Sequence, residues 1–150
     1  MYNTILVPLD GSKRAESILN HVEELARRFD AKVIFLQVVE PSPLIMEPEA
    51  GLFNQYQEYH EEIEAIKKQA EAYLAGIQGE FREKGIDSRV RVVNGPVVEA
   101  IIAAAESENA DLIAAASHGR SGLSRVFYGS VAAGILNRAD RPLLLIRSRQ

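Results

Sequence analysis

The sequence predicts an α/β fold in which five parallel strands form one doubly wound sheet with helices on both faces. Short apolar, β-branched runs recur along the chain, amphipathic stretches of helical period separate them, and turn residues mark the junctions. Strands that alternate with helices over 150 residues are expected to pair in parallel through right-handed crossovers, which place helices on both sides of the sheet.

The first strand is read at residues 3–9, NTILVPL, and ends at the turn residues DGS. A helix should follow with Ser12 as its cap, because Ala15, Ile18, Val22, Leu25, Ala26 and Phe29 recur at three- and four-residue intervals. Residues 31–40, AKVIFLQVVE, supply the second strand. PSPLIMEPEAG at 41–51 holds three prolines and shows no period, so an irregular connection is expected there, one able to cover a site.

From Tyr56 to Lys84 the apolar positions Tyr56, Tyr59, Ile63, Ile66, Ala70, Tyr73, Ile77 and Phe81 step by three and four through a background of Glu and Lys. A coiled coil uses similar spacing, but a core-facing stripe on a long surface helix explains this one better. DSRVRVVNG at 87–95 reads as a third strand, and Val97, Val98, Ile101, Ile102 and Ala105 mark a third helix. A fourth strand at 111–115, a helix from about Ser130 to Asn137 and a fifth strand at 143–147 complete a Rossmann-like, doubly wound order.

The composition bounds the function. With 47% hydrophobic residues in 150, the chain fills one core and is expected to form a single domain over 1–150. The 17 basic and 21 acidic residues leave a net charge of -4, so no general basic field exists to hold nucleic acid or an anionic membrane. No apolar run approaches the roughly 20 residues of a membrane span, and MYNTILVPLD lacks the basic start of a secretion signal. Together with the absence of cysteine, this makes the cytoplasm the expected location.

In a doubly wound sheet, ligands sit beyond the carboxyl ends of the strands, where strand order reverses. Those ends are Leu9, Asp10 and Gly11 for the first strand, Val38 and Val39 for the second, and Ala115 and Ala116 for the fourth. If the first and fourth strands are neighbours, Asp10 shares a crevice with ASHGRSGLSRVFYGSV, residues 116–131. Gly119, Gly122 and Gly129 allow backbone N–H groups to converge, and a helix beginning near Ser130 adds a favourable dipole for an anion. Ser130 suits either a helix cap or a phosphate contact; Arg120 and Arg125 suit either a phosphate or solvent. Asp10 suits a turn as well as a ligand. The Walker pattern and the dinucleotide fingerprint are both absent, since DGSKRAE after the first strand has one glycine. His118 sits in the loop as a tempting base, while His21 and His60 fall on expected helices at no metal-ligand spacing, so no zinc site is expected.

The stretch DLIAAASHGRSGLSRVFYGSVAAGILNRADRPLLLIR, together with ILVPLDGS at the start, resembles the universal stress protein family across essentially the whole chain. The nucleotide-binding members of that family carry glycine, two residues, glycine, nine residues, then glycine followed by Ser or Thr. Gly119, the nine residues 120–128, and Gly129 with Ser130 match the later elements, whereas Ala116 stands where the pattern has its first glycine. Alanine is tolerated there if its backbone suits an L-residue and its methyl points away from the ligand.

The resemblance implies an ATP site in which Asp10 and Val38 face ribose and adenine, Ala115 and Ala116 line the base pocket, and Gly119, Gly129, Ser130 and Val131 hold phosphates. Pro8, Leu9, His118 and Arg120 complete the implied set, with Mg2+ or Mn2+ accompanying the nucleotide. It also implies a homodimer through the last strand, PLLLIR, at the sheet edge. The expected role is an adenine-nucleotide-binding regulator of a stress response. A nucleotide-free dimeric interaction module and a weak ATPase or phosphotransfer enzyme are the alternatives. No paired carboxylates and no P-loop lysine favour the enzyme.

Overall fold

The structure, a computed structural model, describes residues 1–40, 51–117 and 129–148. Aliphatic segments pair as β1 (Thr4–Leu9), β2 (Lys32–Val39), β3 (Ser88–Asn94), β4 (Leu112–Ser117) and β5 (Leu143–Arg147). All pairings are parallel, in the spatial order β3-β2-β1-β4-β5. A short 3-10 turn, Ala15–Ile18, leads into α1 (Leu19–Phe29), and α2 (Leu52–Glu83), α3 (Val97–Ser107) and α4 (Ser130–Arg138) follow in the later connections.

Side chains alternate along each strand, so the sheet has two buried faces. Ile5, Val7, Val33, Phe35 and Ala114 pack with Val22 of α1 and with Leu74, Ile77 and Phe81 of α2. Leu6, Ile34, Leu36 and Ile113 pack on the other face with Ile101 and Ala105 of α3 and Ile135 of α4. The doubly wound arrangement follows: α1 and α2 cover one face, α3 and α4 the other. Phe35 and Phe81 meet edge to face at 5.0 Å between centroids, joining β2 to α2.

Two elements differ from their sequence patterns. α2 begins at Leu52 rather than Tyr56, and Ala70, Leu74, Ile77 and Phe81 are buried while Leu52, Phe53 and Tyr56 are exposed. Length explains this. The 32 residues of α2 extend roughly 48 Å, whereas the eight residues of β2 extend roughly 26 Å. A helix almost twice as long as its strand cannot rest on the sheet throughout. β4 runs two residues past 115, because Ala116 and Ser117 pair with Ile146 and Arg147 of β5. The buried Ser117 hydroxyl donates to the Ile146 carbonyl at 3.2 Å.

The amino ends of the strands are closed by hydrogen bonds. The Asp111 carboxylate accepts from the Asn3 N–H at 2.8 Å and the Thr4 N–H at 3.1 Å. Arg141 donates to the carbonyls of Ala105 at 3.0 Å and Ala110 at 2.7 Å, satisfying acceptors at the end of α3. At one sheet edge, β3 directs Arg89 and Arg91 to Glu108, and charged side chains on an edge discourage pairing with other chains. No helix among the described residues is long and apolar enough to cross a membrane.

α3 and α4 approach closely because residue 134 is glycine. A Cβ built there lies 2.7 Å from Val98 Cγ2 and 3.1 Å from Val98 Cγ1, so rotating the valine does not clear it. Alanine gains roughly 0.5–1 kcal/mol over glycine inside a helix, but overpacking costs roughly 1–3 kcal/mol. Gly134→Ala should therefore lower stability in urea denaturation. The same change made in a Val98→Ala background should be neutral or stabilising; a loss undiminished in that background would show that the α3–α4 contact is not its cause.

Candidate functional site

The carboxyl ends of the strands are arranged differently from the amino ends. β1 pairs with β2 along all of Thr4–Leu9, but with β4 only at Ile5↔Leu112 and Leu6↔Ile113. Strand order reverses here: from β1 the chain proceeds outward to β2 and β3, then returns to place β4 and β5 on the opposite side. Pro8, which has no N–H to donate, occupies the stretch of β1 beyond this pairing. A crevice between diverging connections is the place where doubly wound sheets hold ligands.

A cavity of about 240 Å³ occupies this position. Its floor is the carboxyl end of the sheet, with Pro8, Val38 and Ala115, and its walls are Val97 and Ile101 of α3 and Val131, Ala132 and Ile135 of α4. These side chains form an aliphatic slot. Polar groups come from the β1 end and the turn after it, through Asp10 and Arg14, and from Ser117 at the end of β4, whose hydroxyl is already committed to Ile146.

Of the residues expected at the site, Pro8, Leu9, Asp10, Val38, Ala115, Ala116 and Val131 border this one cavity. Gly129 and Ser130 open α4, immediately before its lining residues. His118, Gly119 and Arg120 lie outside the described residues, as do Gly122, Arg125 and the 41–50 part of the irregular connection. Arg14, Val97 and Ile101 border the cavity without having been singled out from the sequence. The periodicity of α3 marks Val97 and Ile101 as core, and nothing in a linear pattern distinguishes a core position from one beside a cavity. Arg14 could have been found through its spacing, four residues after Asp10.

Asp10 combines two roles. Its Oδ1 accepts from the Ser12 N–H at 2.9 Å and the Ser12 hydroxyl at 2.6 Å, which fixes the turn and the orientation of the carboxylate. The described hydrogen bonds of this carboxylate all fall on Oδ1, so Oδ2 retains its acceptor capacity at the rim. Ser12 Oγ also accepts from the Ala15 N–H at 3.1 Å, which ties the start of the 3-10 segment; the α-helix that Ser12 is expected to cap begins only at Leu19, with Ile18 as its N-cap.

The turn is held from below by α2. The Tyr73 hydroxyl donates to Glu16 Oε2 at 2.9 Å. Partial burial and the Glu16 carboxylate both push the Tyr73 pKa well above its ordinary value.

Ala116 belongs to β4, so its backbone suits an L-residue. Strand alternation places its methyl with Leu112 and Ala114 on the α1–α2 face, where it packs against that core, while Ala115 faces the cavity side. Gly129 is the N-cap of α4, with φ 93° and ψ 160°, and Ser130 is the first helical residue instead of the cap. The N-cap residue, being glycine, offers no side chain to the helix, and the first N–H groups of α4 have no intrahelical partner. The dipole makes this end favourable to negative charge.

Among the described residues no cluster of His, Asp or Glu is suited to hold a metal ion. A metal at this site would therefore have to arrive with an anionic ligand or be held by residues outside those described. The cavity does fit the organic part of a nucleotide: an aliphatic slot suits a flat base, Asp10 can accept from sugar hydroxyls, and the α4 terminus suits phosphate.

The family model for universal stress proteins matches residues 1–147. Universal stress protein MJ0531 of Methanocaldococcus jannaschii is 29% identical over 147 residues, which cover 98% of this chain and 83% of that protein. Universal stress protein Sll1654 of Synechocystis sp. is 30% identical over 147 residues, covering 97% and 86%. Among solved structures, protein MJ0577 of Methanocaldococcus jannaschii superposes with a TM-score of 0.82 at 27% identity, covering 100% of this chain and 99% of the other. A universal stress protein family protein from Arabidopsis thaliana, solved with AMP bound, has a TM-score of 0.65 over 97% of this chain and 92% of that one; at 16% identity the likeness is one of fold.

Two consequences of this geometry are measurable. The backbone of Gly129 lies in a region that L-residues rarely enter, so Gly129→Ala should lower the stability measured by urea denaturation by roughly 1–3 kcal/mol; an unchanged midpoint would mean that the turn relaxes freely. For Tyr73, the folded pKa is raised above the unfolded value of about 10. Its stabilising contribution is therefore complete below that pH and is lost as pH rises through the folded value. Between neutral pH and pH 11 the protein should lose more stability than its Tyr73→Phe variant, which itself should be about 1 kcal/mol less stable at neutral pH.

Proposed function

We propose that this chain, which belongs to the universal stress protein family, binds an adenine nucleotide in the cavity between β1 and β4 and acts as a nucleotide-dependent regulator. The observation that carries this reading is the convergence at one cavity of an aliphatic slot, an oriented carboxylate and the start of α4. In this reading Val38, Pro8, Leu9, Ala115 and Ala116 surround the adenine, Asp10 accepts from the ribose, and Gly129, Ser130 and Val131 receive phosphates, with His118, Gly119 and Arg120 as further partners. ATP with Mg2+ or Mn2+ is the proposed ligand. That the same fold carries AMP in the Arabidopsis thaliana protein supports an adenine nucleotide as its class.

Ala116 does not count against this reading, because it lies in a β-strand whose backbone suits an L-residue and its methyl packs with Leu112 and Ala114 on the α1–α2 face. The dimeric part of the reading rests on β5. Leu143, Leu144, Leu145 and Ile146 are all partly exposed on an edge strand, and such an edge tends to pair with another chain. We therefore place a second copy along β5, with nucleotide occupancy altering that dimer or the surface it offers to a partner, in a cytoplasmic setting.

Calorimetric titration with magnesium-ATP tests the site. Val131 is 39% exposed, so Val131→Phe fills the cavity mouth without burying a new ring in the core. Saturable binding by the protein as it stands, weakened at least tenfold in the variant, is the expected result. Absence of binding at millimolar nucleotide would remove ATP as the ligand, and equal binding by both proteins would move it to another surface.

A further inference from the structure

We propose that Arg14 makes this site selective for phosphorylated ligands: its guanidinium binds the phosphate chain of the nucleotide and thereby discriminates against the uncharged nucleoside. This rests on the nucleotide reading of the cavity. It assigns a role to a residue that neither the glycine pattern nor the strand-end rule identifies.

Arg14 is half-buried and borders the cavity beside Asp10 and Ala15. Arg27, Arg89, Arg91, Arg138 and Arg141 each have a carboxylate within ion-pair distance. Among the described residues Arg14 has none, although acids flank it on both sides; Arg82 and Arg147 have none either, but both are exposed, whereas Arg14 is half-buried. Asp10 directs Oδ1 to Ser12, while Glu16 accepts from Tyr73 on Oε2 and has Lys13 at 3.9 Å from Oε1. The local acids are thus engaged by other donors, and the carbonyl of Arg14 is engaged by the Ser17 hydroxyl at 2.7 Å. A guanidinium cannot shed its proton to relieve partial burial, so its charge is left for whatever enters the cavity.

The start of α4 borders the same cavity through Val131 and Ala132. Among the described residues, two positive poles therefore meet there against a single acid, Asp10. That arrangement gains little from a neutral nucleoside. A phosphate chain can accept from the guanidinium fork and from the helix N–H groups together, in charge-assisted hydrogen bonds.

Titration of the full chain and of Arg14→Gln with magnesium-ATP, AMP and adenosine tests the assignment, with Arg14→Lys as the variant that keeps the charge. Thermal unfolding of each variant establishes that it is folded. The protein should prefer ATP and AMP to adenosine; Arg14→Gln should weaken ATP about tenfold or more while leaving adenosine unchanged, and Arg14→Lys should recover part of the loss. Raising the salt concentration should weaken ATP binding to the unaltered protein more than to Arg14→Gln. Equal ATP affinity in the unaltered protein and Arg14→Gln would overturn the proposal while leaving the nucleotide site standing. Equal losses for ATP and adenosine would make Arg14 a support of the cavity and not a phosphate contact. Failure of the unaltered protein to bind any of the three would overturn both this assignment and the reading on which it rests.

Discussion

The end of β1–β4 pairing at Leu6 and Ile113 governs the architecture at the carboxyl end of the sheet. While the two strands pair, their side chains complete the cores on both faces; past the last paired rung Val7 and Ala114 are still buried together, and the cavity opens farther out, at Pro8, Leu9, Ala115 and Ala116. Helices packed on opposite faces do not close this end, because the connections after β1 and β4 lead away from each other. At the amino end Asp111 and Arg141 tie β1, β4 and the end of α3 together. One end of the sheet is thus tied by hydrogen bonds to the segments around it, while the other presents the cavity lined by α3 and α4.

Around that cavity, rigidity and chemistry come from the same residues. Ser12 orients Asp10 and caps the following turn, and Tyr73 fastens Glu16 of that turn to α2. Fixing a carboxylate in advance means that less freedom is lost when a ligand binds. The wall formed by α3 and α4 is set in a comparable way by the contact of Gly134 with Val98, which brings the two helices close enough for Val97, Ile101 and Ile135 to share one slot. Residues that touch no ligand therefore determine the dimensions available to one.

Much of this was legible along the chain. Short apolar runs ending in turn residues locate the strand ends, and strand ends are where ligands meet a doubly wound sheet, so Leu9, Asp10, Val38, Ala115 and Ala116 could be named together, and the family resemblance added Pro8. The illegible parts share a cause. The exposed amino half of α2 has the same period as its buried half, since periodicity reports a face and not the length of the sheet beneath it. Val97 and Ile101 read as ordinary core positions because their neighbours across the cavity come from elements elsewhere in the sequence. The extension of β4 through Ser117 depends on a partner strand 25 or more residues away, whose register a local pattern does not contain.

By itself, the sequence determined the succession of strands and helices, the parallel pairing this requires, the family, and the rim on which a site would lie, because each follows from local periodicity, turn chemistry or a motif of fixed spacing. The tertiary structure alone decided that β1 and β4 are neighbours whose pairing ends at Leu6 and Ile113, that the methyl of Ala116 packs on the α1–α2 face, and that Arg14 stands beside the cavity with no carboxylate partner among the described residues. These depend on register, side-chain parity and the commitments of neighbouring charges. Such quantities exist only once segments distant in the chain have been brought together.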